Sequence, residues 1–388
     1  MARERASGSK ALAATAITLG AAAFAGIAAL GSLSVYVARK VIIPSKTRRE
    51  DLKILGCTDT TVLLSKTLDT LVTGQYGLWF SEGAGHAKVG AILEVGPTWV
   101  RRELLGIDHG DLASATRGSI AGWFYLDPEQ LGVKHTDVVI QTPVGPAPAW
   151  LIPAPKKTGR WLIGVHGRGV RRQECLRAVE VARRCGYTSL LVSYRNDGDA
   201  PLSADGRYGL GDTEWPDVDA AIEYAIANGA TEVVLMGWSM GGAISLQVAT
   251  RTSHTAVLKG IILESPVVDW AETIDYQTDA QHAPRVVAAA ARHLISSPWA
   301  RSLTGQDESI DLSRLDFVAR ADELTLPILL MHSADDGYVP PYASRALALA
   351  RPDIVTFDEF TMARHAKLWN YDADRFNEDI GSWLNRLP

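Results

Sequence analysis

The chain has 388 residues, a formal net charge of -5, 47% hydrophobic residues and 21% charged ones. That length can bury a large core and suggests one big domain with extras, or two domains. The slight negative charge leaves no basic footprint, so nucleic acid is excluded as an expected partner. Three cysteines, Cys57, Cys175 and Cys185, show no metal-ligand spacing, and no metal or cofactor is expected. Cys175 and Cys185 stand ten apart in one expected helix, about 15 Å along its axis, too far to bridge.

Between Lys10 and Arg39 lie 28 residues without a charge. A bilayer needs about 20 apolar residues, whereas the apolar part of a cleaved leader runs to about 7–15. The length therefore predicts a single-pass membrane anchor within residues 1–40, through 11–38. Arg3, Arg5 and Lys10 precede it; Arg39, Lys40, Lys46, Arg48, Arg49 and Lys53 follow. Counted by Lys and Arg, the C-terminal side faces the cytoplasm. A short positive N-terminus before a first apolar helix can equally stay inside and send the rest across.

Residues 41–132 read as a small β-rich accessory region. Strands are expected at 58–64, 86–95, 98–105 and 118–126. His86 and His109 stand beside glycines and are expected in solvated turns.

From 133 onward, strands alternate with helices. A hairpin at 137–141 and 149–152 precedes a buried strand at 161–165 and the loop His166-Gly167-Arg168-Gly169. A helix at 173–185, a strand at 189–193 and a helix at 215–228 follow, with Pro216 in the first turn of the last. Further strands fall at 233–236, 260–264, 328–332 and 354–357, and further helices at 342–350 and 371–387. The mixed stretch 270–322 suits a lid inserted between strands. Such alternation implies an α/β fold with a mostly parallel sheet and helices on both faces. Its working groups belong on loops at the carboxyl ends of the strands.

The sharpest signal is Gly237-Trp238-Ser239-Met240-Gly241-Gly242 after the apolar run Val233 to Met236. A strand, a tight turn and a helix would hold the serine hydroxyl above the sheet edge, with glycines where the strand and helix nearly touch. A serine nucleophile needs a base, and a histidine steered by a carboxylate serves near neutral pH. Past the strand at 328–332 stand Asp335 and Asp336, one an acid and the other a turn-former. His365, the one histidine after Asp336, is the base. His332 packs or hydrogen-bonds at its strand end. His254, His282 and His293 fall outside the expected loops. Oxyanion stabilisation needs two backbone N–H groups, which Met240 and Arg168 can supply. The polar loop from Tyr194 to Trp215 is expected to wall the pocket, with Arg195 and Arg207 paired to its acids.

These pieces, with the stretch from His332 to Pro340 and Arg364-His365, resemble the α/β-hydrolase superfamily of serine hydrolases, most closely its esterase and prolyl-oligopeptidase-like branch. The acid motif of that branch, His-Gly-x-x-Asp-x-x-Val-Pro, implies Asp336 as the acid, with Ser333 where the branch has glycine. The resemblance covers about the last 250 residues and implies hydrolysis of esters, thioesters or amides without choosing among them. Together with the expected anchor, the leading expectation is a membrane-anchored serine hydrolase acting on a small or lipid-like acyl ester. A peptidase, a thioesterase or a non-catalytic binding protein of the same fold are the alternatives, and the last of these predicts a broken triad.

Overall fold

The computed structural model describes residues 25–45 and 49–387, so residues 11–24 of the expected anchor lie outside the described ones. A helix, α1 (Ala25–Ile42), is by length and composition apolar enough to cross a membrane. It runs four residues past the uncharged stretch, and its two ends differ. Ile27 and Tyr36 are exposed, whereas Ala38 and Ile42 are fully buried among the apolar residues of the α/β part. The last carbonyls of a helix lack intrahelical partners. Here the Arg168 guanidinium donates to Lys40 O and Val41 O, and the Tyr208 N–H donates to Ile42 O.

Six strands follow: β1 (Leu52–Cys57), β2 (Thr61–Ser65), β3 (Tyr76–Phe80), β4 (Gly85–Val95), β5 (Trp99–His109) and β6 (Arg117–Ala121). They close a barrel in the order β1-β2-β5-β4-β3-β6, which leaves no open sheet edge. Alternate residues point inward, so Val62, Leu64, Leu78, Val89 and Leu104 form a core of their own. Register shifts along the long β4–β5 pair bend it enough for closure. Arg102 is fully buried, and its guanidinium donates to the carbonyls of Thr70, Val72, Gly74 and Gly90.

Several sequence expectations for this region need correction. The strand expected at 58–64 is a turn closed by Thr58 N–H to Thr61 O, followed by β2, and β1 and β3 were not expected at all. His86 and His109 lie in strands rather than turns. The neighbouring glycine that suggested a turn is present for close packing: a Cβ on Gly85 would meet the Phe80 ring at 2.1 Å. His86 is fully buried, bonded to Asp108 at 2.7 Å and to Trp123 O at 3.1 Å. Burial lowers its pKa against the pull of those two partners.

The α/β part is an eight-stranded mixed sheet of β7 (Thr136–Thr142), β8 (Gly145–Ile152), β9 (Arg160–Val165), β10 (Thr188–Val192), β11 (Glu232–Trp238), β12 (Leu258–Glu264), β13 (Ile328–Ser333) and β14 (Val355–Phe360). Its order is β14-β13-β12-β11-β9-β10-β8-β7; β8 pairs antiparallel with both β7 and β10, and the other neighbouring pairs are parallel. The helices are α2 (Val179–Arg184), α3 (Trp215–Ala227), α4 (Met240–Arg251), α5 (Trp270–Ala280), α6 (Arg285–Ser296), α7 (Arg301–Thr304), α8 (Tyr342–Ala350), α9 (Leu368–Tyr371) and α10 (Ala373–Leu384).

Both sheet faces are covered, which explains the unbroken apolar runs. Along β11, Val233 and Leu235 join the core under α3, α4 and α8, while Val234, Met236 and Trp238 join the core under α2 and α10. The helix expected at 173–185 begins instead as a 3-10 turn, Arg172–Ala178, and becomes α2 only from Val179. That tighter winding serves Glu174, whose side chain accepts the N–H of Gly167 at 2.7 Å. Between β12 and β13 the chain makes α5, α6 and α7, where the lid was expected.

Candidate active site

Ser239 sits between β11 and α4 with φ 51° and ψ -117°, a conformation side chains rarely adopt. The glycines around it are dictated by contact. A Cβ on Gly237 would meet Gly241 O at 2.4 Å, and one on Gly241 would meet Val165 O at 2.1 Å. The strained turn is pinned by Ser239 N–H donating to Glu264 O at 3.0 Å and by Val267 N–H donating to Ser239 O at 3.1 Å.

The three side chains expected to work together do meet. Ser239 Oγ lies 3.0 Å from His365 Nε2, and His365 Nδ1 lies 2.7 Å from Asp336 Oδ2. The carboxylate fixes the tautomer, because it can only accept: Nδ1 carries the proton and Nε2 is left to receive one from the serine. Asp336 Oδ1 in turn accepts the N–H groups of Tyr338 and Val339 at 2.8 and 2.9 Å. Burial pushes the Asp336 carboxyl up, but the neighbouring His365 and His332 outweigh it and hold the group well below the usual carboxylate range. Asp335 faces away from the imidazole and accepts Ser333 Oγ–H and the Arg364 N–H at the base of the histidine loop. His332 is buried, with Nδ1 on Ser344 Oγ at 2.8 Å and Nε2 on Val339 O at 3.0 Å.

The loop after β9 is held from behind. Gly167 N–H is taken by Glu174, and Gly169 N–H by Asp197 and Tyr208. Arg168 therefore carries the loop N–H between two that are already engaged. Met240 is the first residue of α4, where helix N–H groups have no intrahelical acceptor. His166 cannot compete as a base, since complete burial pushes its pKa down to about 3. The polar loop after β10 does not wall the pocket as expected. It braces the loop after β9 instead, Tyr194 Oη donating to His166 O and Gly167 O, while Arg195 pairs with Asp217 of α3. Arg207 donates to Gly206 O rather than to an acid.

Ser239 and His365 open into a cavity of about 250 Å³. One part of the lining comes from Val267 and from Trp270 and Thr273 of α5; another is Ile120 to Trp123 at the end of the barrel. Tyr338 closes a side, its ring 5.0 Å from His365 and its hydroxyl accepting from Arg168 at 2.8 Å. Sequence reasoning missed the barrel wall, Tyr338, Glu174 and Glu264, because what each touches is set by the fold and not by a spacing in the sequence. A charged residue after the apolar run Ile261 to Leu263, as Glu264 closes β12, was the available hint. Glu264 accepts the Trp238 indole N–H and the Leu368 N–H, joining the nucleophile turn to the histidine loop. Among the described residues, Asp219, Glu223 and His254 bring possible metal-ligand atoms within 4.8 Å of one another, outside this cavity.

The comparisons agree with this geometry. Residues 162–379 match the model of the alpha/beta hydrolase family, more than half of the chain. The chain therefore belongs to that family. Residues 53–121, the barrel, match a domain of unknown function (DUF8805). No curated protein sequence matches the chain. Among solved structures, an esterase of Pyrococcus furiosus is similar at 16% identity and TM-score 0.53, over 68% of this chain and 95% of the esterase. A puromycin-hydrolyzing peptidase of Mycobacterium tuberculosis is similar at 18% identity and TM-score 0.50, over 79% of this chain and 47% of the peptidase.

Proposed function

We propose that this protein is a membrane-anchored serine hydrolase that cleaves carboxylic esters through an acyl-enzyme. The observation that carries the proposal is the unbroken relay from Ser239 Oγ to His365 Nε2, 3.0 Å, and from His365 Nδ1 to Asp336 Oδ2, 2.7 Å. Ser239 Oγ attacks the ester carbonyl carbon as His365 Nε2 takes its proton. The N–H groups of Met240 and Arg168 stabilise the oxyanion of the tetrahedral intermediate. Collapse breaks the C–O bond, and the imidazolium gives its proton to the departing alkoxide. Water then attacks the acyl-serine with His365 again as base, releasing the acid and restoring Ser239. Asp336 stays ionised throughout and steadies the imidazolium. The apolar wall of Ile120, Val267 and Trp270 favours a small or lipid-like acyl group. The anchor in this reading is residues 11–38, of which 25–38 belong to α1, and the larger Lys and Arg count after it supports a cytoplasmic catalytic part.

A fluorophosphonate probe tests the chemistry. Wild type should be labelled, and Ser239→Ala should lose both labelling and about 10⁶-fold in turnover. Folded wild-type protein that takes no label would refute the reading. Amide hydrolysis is the second reading, favoured by the likeness to the peptidase, which takes in the larger share of this chain. Rates on p-nitrophenyl esters of increasing chain length against aminoacyl anilides decide between the two.

A further inference from the structure

The barrel and the histidine loop are bound together more closely than a mere domain contact requires. His365 is flanked by Arg364 and Ala366, whose φ angles are 63° and 49°. Two such departures into a region disfavoured for L side chains persist only where the surroundings over-determine them. On the α/β side, Ser265 Oγ accepts the Ala366 N–H, and Arg177 donates to Ala366 O. Asp335 accepts the Arg364 N–H and, through its carbonyl, the Arg364 guanidinium, and Glu264 accepts the Leu368 N–H. A further grip comes from the barrel. Asp69, in the turn between β2 and β3, takes Lys367 Nζ at 2.9 Å and Arg364 Nε at 3.5 Å. One carboxylate thus ties the residue before His365 and the second residue after it. Next to this, Asn370 Nδ2 donates to Gln75 O and Gly122 O, and Gln75 N–H donates to Asn370 O. The seam leaves no slack, since a Cβ on Gly122 would meet Ala366 O at 2.7 Å.

We infer that the barrel is a working half of the active site, and that Asp69 is its positioning residue, holding the His365 loop in register with Ser239 through Lys367 and Arg364. The inference rests on the serine-hydrolase reading and gives the accessory barrel a role in it. A loop held this way keeps the imidazole within reach of the serine, and displacements of about 1 Å at a reacting group can cost up to about a hundredfold in rate.

The test compares Asp69→Asn and Asp69→Glu with wild type on p-nitrophenyl acetate, with kcat expressed per fluorophosphonate-labelled site so that unfolded protein is not counted. Asp69→Asn should lower kcat per site about tenfold with KM unchanged, the pattern of a lost transition-state alignment. Asp69→Glu, which keeps the charge, should recover most of it. An unchanged kcat per site in Asp69→Asn overturns the inference, as does a loss in Asp69→Glu equal to that in Asp69→Asn. If Asp69→Asn does not fold, Lys367→Met removes the closer partner and is read by the same criterion. Absence of labelling in wild type would instead refute the hydrolase reading itself, so the two failures are distinguishable.

Discussion

The α/β part and the barrel are built in opposite ways, the first from strands buried along their whole length and the second from strands that alternate between core and solvent. In the α/β part, parallel strands buried on both faces bring Ser239, Asp336 and His365 to one rim from three separate loops. The barrel closes on itself around its own small core and offers the site a wall at Ile120 to Trp123 and a clamp at Asp69. In the proposed mechanism one region holds the reacting groups and the other holds them still. A family can keep its chemistry in one fold and adjust it from another by this means.

Three perturbations sharpen that contrast. The largest effect belongs to the α/β side. Asp336→Asn keeps the shape but can favour the wrong imidazole tautomer, and kcat should fall about 10⁴-fold. The two N–H donors from Tyr338 and Val339 remain matched by an amide oxygen, so the fold should persist, with a lower melting temperature from the lost carboxylate charge. Steady-state kinetics beside a melting curve check both, and a loss of activity that merely follows a loss of fold would contradict the assignment.

The middle effect belongs to the barrel. Arg102→Met strands the carbonyls of Thr70, Val72, Gly74 and Gly90 in a dry interior. Breaking a buried charged network in this way costs about 3–5 kcal/mol. A urea titration followed by tryptophan fluorescence should show an earlier transition, and fluorophosphonate labelling should fail over the same urea range. Labelling that outlasts the barrel transition would mean that the barrel is dispensable to the chemistry.

The same contrast explains what could be read from the residues. Ser239 and His365 were legible because a nucleophile turn imposes glycines at fixed offsets and because one histidine remained after the acid. The choice of Asp336 over Asp335 came from the motif resemblance, and the hydrogen bonds supply its physical reason: Asp336 accepts two backbone N–H groups and His365, whereas Asp335 faces Ser333 and Arg364. The barrel was legible only as β-rich. β3 reads Tyr-Gly-Leu-Trp-Phe and is buried at every position, so it shows no period-2 alternation. Asp69 was invisible because its partners lie some 300 residues away in the chain. An acidic residue in a polar turn looks the same whether or not it meets a cation in the fold.

The smallest effect separates the two parts by pH. Asp197, under the oxyanion loop, accepts Gly169 N–H and Tyr208 Oη–H. Burial is the dominant influence and raises its pKa from 3.8 to about 7, against the pull of Tyr208, Gly169 and Arg168. The folded protein therefore binds this proton more tightly than the unfolded chain does. Its contribution to stability is complete below the unfolded pKa and is lost as pH rises through about 7. Asp336 has the opposite sign: its pKa is depressed, so its contribution is lost only in acid and adds no slope near neutrality. His86 of the barrel and His166 are held neutral by burial and lose stability below about pH 6.5, as the unfolded chain takes up protons. That slope would mask the Asp197 effect in wild type alone, but it cancels in a difference between wild type and Asp197→Asn. The melting temperature of Asp197→Asn relative to wild type should rise by a few degrees between about pH 5 and pH 8. A difference that stays flat over this range would mean that Asp197 is already ionised at the acid end, and that the oxyanion loop rests on a charge rather than on a shared proton.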